Sequence, residues 1–235
     1  MHESLQNPAF ILILGGMMVP LFRGLARQIF MLALPVLGLG VLVWLPAGDT
    51  GLVHFFGVPL ETVRIDHLSF IFGVIFHVAA LLAVIYALHL KDTVQHVAAL
   101  IYAGAAIGAV LAGDLITLML YWELTALSSV FLIWARRTER AYHVGMRYLI
   151  IQVASGVLLI AGIAVKYVQT GSVNFEHMEL DEPGAWLILF AFGIKAAFPL
   201  LHNWLQDAYP EATVTGTVVL SAFTTKLAIY ALARG

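Results

Sequence analysis

Apolar runs close to the length of a bilayer crossing, separated by short polar segments, dominate the chain. A spanning helix needs about 20 mainly apolar residues, which predicts eight spans at about 8–22, 26–45, 67–89, 95–112, 115–135, 143–168, 184–206 and 213–233. The first is short. The polar segment between the second and third spans carries Gly48, Asp49, Gly51, Gly57 and Pro59. It reads as loop with β-like pieces such as Val53-His54-Phe55-Phe56. The segment between the sixth and seventh spans is acidic, with Glu176, Glu179, Asp181 and Glu182. No linker is long enough to separate two domains, so the pattern predicts one all-α polytopic membrane domain over 1–235.

Composition sharpens this. The chain is 61% hydrophobic and 11% charged, against about 45–50% apolar in soluble domains. There is no cysteine, which excludes a disulfide framework, thiolate catalysis and a Cys-based metal site. No phosphate loop, zinc, haem or dinucleotide motif is present, so no metal or cofactor is expected. Net charge is −2 without a basic patch, which argues against nucleic acid as a partner. The first eight residues lack a basic n-region and a small-residue cleavage site, so the first span reads as a retained helix. Arg23, Arg27, Lys91, Arg136, Arg137 and Arg140 fall in the loops after spans one, three and five, while the other side holds Arg64 and Lys166. Positive charge stays inside. This predicts a multi-pass protein of the cell inner membrane with both termini on the outer face.

Against that background three ionisable residues stand out. Glu123 lies about 13 Å into its span, Lys195 about 16 Å and Lys226 about 19 Å, at 1.5 Å rise per residue. Such residues at mid-depth are costly and point to function. One acid and two amines suggest a path for protons; a structural ion pair that fixes helix register is the rival reading. Pro199 removes a helical hydrogen bond and breaks the seventh span, a device seen near the midplane of transporters. Lys195 stands one turn before that break and His202 just after it. His202 reads either as a proton relay near neutral pH or as a histidine bonded to a backbone carbonyl. Asp66 and Asp114 suit helix N-caps. His77 and His89 read as polar packing or part of a wet path. The small residues from Ala103 to Gly113 fit helix contact. Thr215, Thr217, Ser221, Thr224 and Thr225 suit close packing or held water.

Trp122-Glu123-Leu124 with Ser128-Ser129, then Lys195-x-x-x-Pro199-Leu-x-His202-x-Trp204-Leu-x-Asp207-Ala, then Thr225-Lys226-x-x-x-Tyr230-Ala-Leu-x-Arg234, resemble the antiporter-like subunits shared by respiratory complex I and Mrp-type cation/proton antiporters. The resemblance runs from the first span to the last residue. It implies the first half of a fourteen-helix fold with two inverted five-helix repeats: here 1–91 as an N-terminal three-helix segment and 95–235 as one repeat carrying a half-channel. It implies a proton-transfer pair of Glu123 with Lys195, and Lys226 as the link to a central polar axis. Leu220 stands where complex I members commonly carry histidine, which makes the chain look more like the D-type subunits of Mrp complexes. Gln206 replaces a usual proline. The sequence stops before the second repeat that the resemblance implies, so either a partner subunit is expected to supply it or the chain is a truncation. The expected function is a non-enzymatic membrane component of an antiporter built from several subunits, moving H⁺ against Na⁺ or K⁺ within a lipid bilayer. Alternatives are a proton-pumping subunit of a complex I-like quinone or ferredoxin oxidoreductase, a subunit of a bicarbonate-uptake complex, and a scaffold without transport.

Overall fold

A computed structural model describes residues 7–55 and 57–235. The expectations placed on Met1–Gln6 and Phe56 lie outside the described residues. Asn7 opens the first helix by accepting from Ala9 N at 2.9 Å, and Pro8 presets its first turn. Helix α1 (Pro8–Met18) runs into a 3₁₀ turn, Val19–Leu21, and is followed by α2 (Gly24–Trp44). Then come β1 (Gly48–Phe55) and β2 (Val58–Ile65), and the helices α3 (His67–Ala87), α4 (Thr93–Leu111), α5 (Leu115–Trp134) and α6 (Glu139–Thr170). The chain closes with α7 (Ala185–Ala196), α8 (Asn203–Glu211) and α9 (Val214–Arg234).

The protein is mostly helical, and α2, α3, α4, α5, α6 and α9 are long and apolar enough to cross a membrane. The stretch Pro8–Leu21 and α7 are apolar but shorter. Two expectations change. The 46–64 segment is an antiparallel hairpin with Gly48 opposite Ile65 and Phe55 opposite Val58, so the fold is not purely helical. Val63 and Ile65, two apart on one face of β2, are buried, the spacing a strand imposes. The predicted 184–206 span is two helices, α7 and α8, with residues 197–202 between them.

Asp66 and Asp114 cap as expected. Asp114 accepts from Thr117 N and Thr117 Oγ1, both at 2.7 Å. Asp66 forms a capping box with Ser69. Burial works to raise the Asp66 carboxyl, but the Ser69 N–H and the Arg234 and Arg64 guanidinium groups outweigh it and hold it below the usual range. Helix α4 is the most buried of the spanning helices, at 78%. Its small residues make that possible. Gly104 lies where a Cβ would meet Ile13 at 2.8 Å and the Ala9 carbonyl at 3.0 Å, and a Cβ on Gly108 would overlap the Tyr121 ring. Small residues let helices approach where the solvent is lipid and burial alone drives nothing.

The two ends of the bundle are fastened differently. At the hairpin end, backbone bonds tie the loops together: Gly113 N to Glu61 O at 2.9 Å, Leu115 N to Val173 O at 2.8 Å, Phe175 N to Gly113 O at 3.0 Å and Met178 N to Gly235 O at 2.8 Å. Arg64 donates to the Phe175 carbonyl there, and Arg234 pairs with Asp66. At the opposite end, charged side chains make the links: Arg137 with Asp92 at 3.2 Å, Arg140 with Glu211 at 2.9 Å and Arg147 with Asp207 at 2.7 Å. These hold α8 and the start of α4 to the α5–α6 corner.

Candidate functional site

Successive helical residues point about 100° apart, and α5 uses this to serve two neighbours. Trp122 donates through Nε1 to Ser155 Oγ on α6 at 3.0 Å. The Trp122 carbonyl and Thr125 Oγ1 face α7, where both accept from Lys195 Nζ, at 2.9 and 2.8 Å. Lys195 is 1% exposed, and its ammonium lies 4.3 Å from the Trp122 ring centroid. The amine is therefore desolvated yet held by two acceptors and an aromatic face.

Glu123, the next residue of α5, also meets α6. Its carboxylate packs against Gly156 of α6, where a Cβ would overlap Oε1. That oxygen is buried with no hydrogen-bond partner among the described residues. The expected direct Glu123–Lys195 pair is thus modified. Among the described residues Glu123 forms no ion pair, and Lys195 spends two of its three donors on α5. The charges stay within Coulombic reach of one another, with the Trp122 and Thr125 acceptors interposed on the amine.

The segment after Lys195 departs from helix at once. Ala197 has φ 60° and Leu200 φ 74°, left-handed values that non-glycine residues rarely adopt. Phe198 N reaches back to Gly193 O at 2.9 Å and Leu201 N to Phe198 O at 2.8 Å. Pro199 sits exposed between them. Trp204 Nε1 donates to Ile194 O at 2.9 Å, so the start of α8 is laced to the last turn of α7. His202 occupies the N-cap position of α8 without a side-chain cap bond. It is half-buried, and no ring hydrogen bond to a described residue is made. The backbone-bonded reading of His202 is not the one seen.

Lys226 sits midway along α9, on an exposed face, and donates to Ser221 O at 2.8 Å. It does not join the Lys195 cluster. His77 is 1% exposed and its Nδ1 lies 2.7 Å from Gly73 O, which makes it a packed histidine of α3. His89 is exposed. No group of three or more His, Asp or Glu among the described residues is arranged to hold a metal.

The sequence reading missed two participants. Gly156 is the niche for the Glu123 carboxylate, and it gave no signal beyond being one glycine in an apolar run. A hydroxyl row was also missed: Ser129 Oγ and Tyr148 OH are 2.8 Å apart, Tyr148 lies beside Thr224, and Thr224 bonds Tyr102. Four different helices supply that row, so spacing along the chain does not reveal it.

Comparison with known proteins fits this arrangement. The A-type subunit of the Na(+)/H(+) antiporter of Alkalihalophilus pseudofirmus is 30% identical over 265 residues, covering 100% of this chain and 32% of that protein. The D-type subunit of the Na(+)/H(+) antiporter of Bacillus subtilis is 27% identical over 54% of this chain and 28% of its own length. The chain thus spans about a third or less of these curated relatives. A chain of the membrane-bound sulfane sulfur reductase, an archaeal respiratory membrane complex, superposes with TM-score 0.81 at 23% identity, over 97% of this chain and 52% of that one. The fold is therefore shared. Residues 112–235, from the end of α4 through α9 and including Glu123, Lys195 and Lys226, match the NADH:quinone oxidoreductase/Mrp antiporter transmembrane family, and the chain belongs to that family.

Proposed function

We propose that this chain is a membrane subunit of a multisubunit monovalent cation/proton antiporter, and that it forms one proton half-channel. The observation that carries this reading is Lys195: a fully buried amine at the broken end of α7, held by α5 acceptors, with the Glu123 carboxylate in Coulombic reach. Such a group can lose or hold a proton according to the charge beside it. Glu123 and Lys195 act as the exchanging pair, and His202 takes protons to or from the face that carries the arginine cluster. Lys226 passes charge onward. An ammonium facing lipid at mid-depth is costly, so the Lys226 face of α9 packs against further membrane protein carrying polar groups or water. That protein is another part of the antiporter assembly. Residues 95–235 act as the repeat unit and 1–91 as its flanking three-helix segment. The assembly sits in the cell inner membrane, with the arginine-rich end of the bundle toward the cytoplasm. The cation is Na⁺ or K⁺, and the subunit itself catalyses no bond chemistry.

The family also contains oxidoreductase subunits, and the same site would serve a redox-driven pump. Purified assembly in acid-loaded vesicles separates the two. Antiport predicts that Na⁺ or K⁺ added outside collapses the pH gradient. A redox pump predicts acidification driven by quinone or ferredoxin turnover and indifferent to the cation. A gradient that responds to neither stimulus would remove both readings.

We further read α7 and α8 as halves of one interrupted crossing. At 1.5 Å per residue α7 is about 18 Å long, which is short of the bilayer, and non-helical backbone at that depth is tolerated where it lines a wet cavity. Single cysteines at Ala197 or Leu201, introduced into a chain that has none, are expected to react with a small water-soluble thiol reagent. Inertness at both positions would mean a dry kink.

A further inference from the structure

Helix α6 lies antiparallel to α5 and α7 in a register that its own contacts fix. On the α5 side Trp122 meets Ser155 and Ser129 meets Tyr148, which puts Thr125 level with Gln152. On the α7 side Gly162 abuts Ile188 and Ser155 Oγ donates to Ala191 O at 2.7 Å. One turn further along, the same register brings Gln152 level with Lys195. Gln152 belongs to the buried stripe of α6 with Tyr148, Ser155 and Gly156. It is 0% exposed. Neither its amide nitrogen nor its carbonyl oxygen has a hydrogen-bond partner among the described residues. A buried amide in that condition costs free energy that a leucine of similar size would not, so packing does not explain the residue.

Its surroundings do. Lys195 has three N–H donors, of which Trp122 O and Thr125 Oγ1 take two. On the far side of Gln152, one turn along α6, stands Tyr148, the start of the row through Thr224 on α9 to Tyr102 on α4. An amide both accepts and donates, and Gln152 stands between a donor with capacity left and a row of hydroxyls. We propose that Gln152 is a positioning residue that holds an internal water between the Lys195 ammonium and the Tyr148–Thr224–Tyr102 row. The water oxygen accepts the third Lys195 N–H and donates to the hydroxyl row, which holds the ammonium on the α9 side of the site and away from Glu123. This inference rests on the proposed proton-transfer role of Lys195.

The test uses the whole assembly in vesicles, with wild type and Glu123→Gln run beside Gln152→Leu and Gln152→Glu. The ionisable groups around position 152 are Glu123 from α5, Lys195 from α7 and Tyr148 on α6 itself, with Tyr102 of α4 and Tyr209 of α8 flanking Tyr148. Gln152→Leu is expected to accumulate normally and to lose about 10- to 100-fold in exchange rate, the scale of a misplaced reacting group. Gln152→Glu is expected to work at low pH, where a carboxylic acid donates and accepts like the amide. It should fail as pH rises, because the carboxylate then pins the Lys195 ammonium; wild type lacks this falling limb. If Gln152→Leu exchanges within two-fold of wild type, the inference is overturned. If that variant does not accumulate, Gln152→Glu decides, and a wild-type pH profile overturns the inference. A readout independent of transport is the ¹⁵N-lysine titration: Gln152→Leu lowers the Lys195 midpoint by removing an acceptor, and an unmoved midpoint overturns the inference. Loss of exchange in wild type would strike the functional reading alone, and this titration would still decide the role of Gln152.

Discussion

Glu123→Gln keeps the protein folded and inserted while cation-driven proton exchange falls by about 100-fold or more, the range lost when a positioned proton-transfer group is removed. The amide fits the Gly156 niche, since it has the shape of the carboxylate, so folding gives it no reason to fail. What it lacks is a charge that changes. In wild type the Oε1 atom has no hydrogen-bond partner among the described residues, and Lys195 feels the carboxylate through space rather than through contact. Removing that charge leaves the amine with neutral acceptors and no partner that alternates. The assay is pH-gradient-driven exchange in vesicles with expression matched to wild type. Exchange close to wild type would assign Glu123 to packing and detach it from Lys195.

The second large effect comes from adding one methyl group. Gly156→Ala puts a Cβ where Oε1 of Glu123 now lies. The obstructed atom is the end of a flexible side chain, so the helices need not move apart. Alanine also favours helix over glycine by about 0.5–1 kcal/mol in a helix interior. Stability is therefore expected to hold or rise while exchange drops about 10- to 100-fold from the displaced carboxylate. Opposite signs on thermal unfolding and on exchange distinguish this from general damage. A variant that loses both together would show that Gly156 serves helix packing rather than the carboxylate.

The sequence made some portions of this arrangement legible and hid others for physical reasons. Spanning helices show because the bilayer imposes one length on each, and α2 through α6 fall within a few residues of the apolar runs, save where polar first turns extend α6 back to Glu139. Caps such as Asp66 and Asp114 show because the chemistry is local. Lys195 and Glu123 stand out because charges in apolar runs are rare. Their mutual geometry does not, since it depends on which face of α5 each neighbour meets: the Glu123 carboxylate lies against α6 while the Trp122 carbonyl and the Thr125 hydroxyl turn to α7. The hairpin was half-seen as β-like pieces; strand pairing needs a partner that a run of glycines, aspartate and proline disguises as loop. Gln152 passed unnoticed for the same reason as the Tyr148–Thr224 row. Glutamine in an apolar helix draws no notice until the register with α5 and α7 is known.

The unlike fastening of the two ends has a mechanical consequence. Backbone-to-backbone bonds at the hairpin end carry no net charge, so dissolved salt leaves them as they are. The arginine–carboxylate links at the other end have one or both partners exposed to solvent, with Arg137 at 75% and Arg140 at 80% side-chain exposure, and ions screen such pairs over about 8 Å at physiological strength. The hairpin end adds the Arg234–Asp66 pair, whose arginine is 7% exposed, so ionic strength acts chiefly on the links at the other end. Compliance gathers around α8, the piece that adjoins the interrupted backbone and His202. One end of the molecule is thus held mainly by bonds indifferent to salt, and the other by links that the ionic medium weakens.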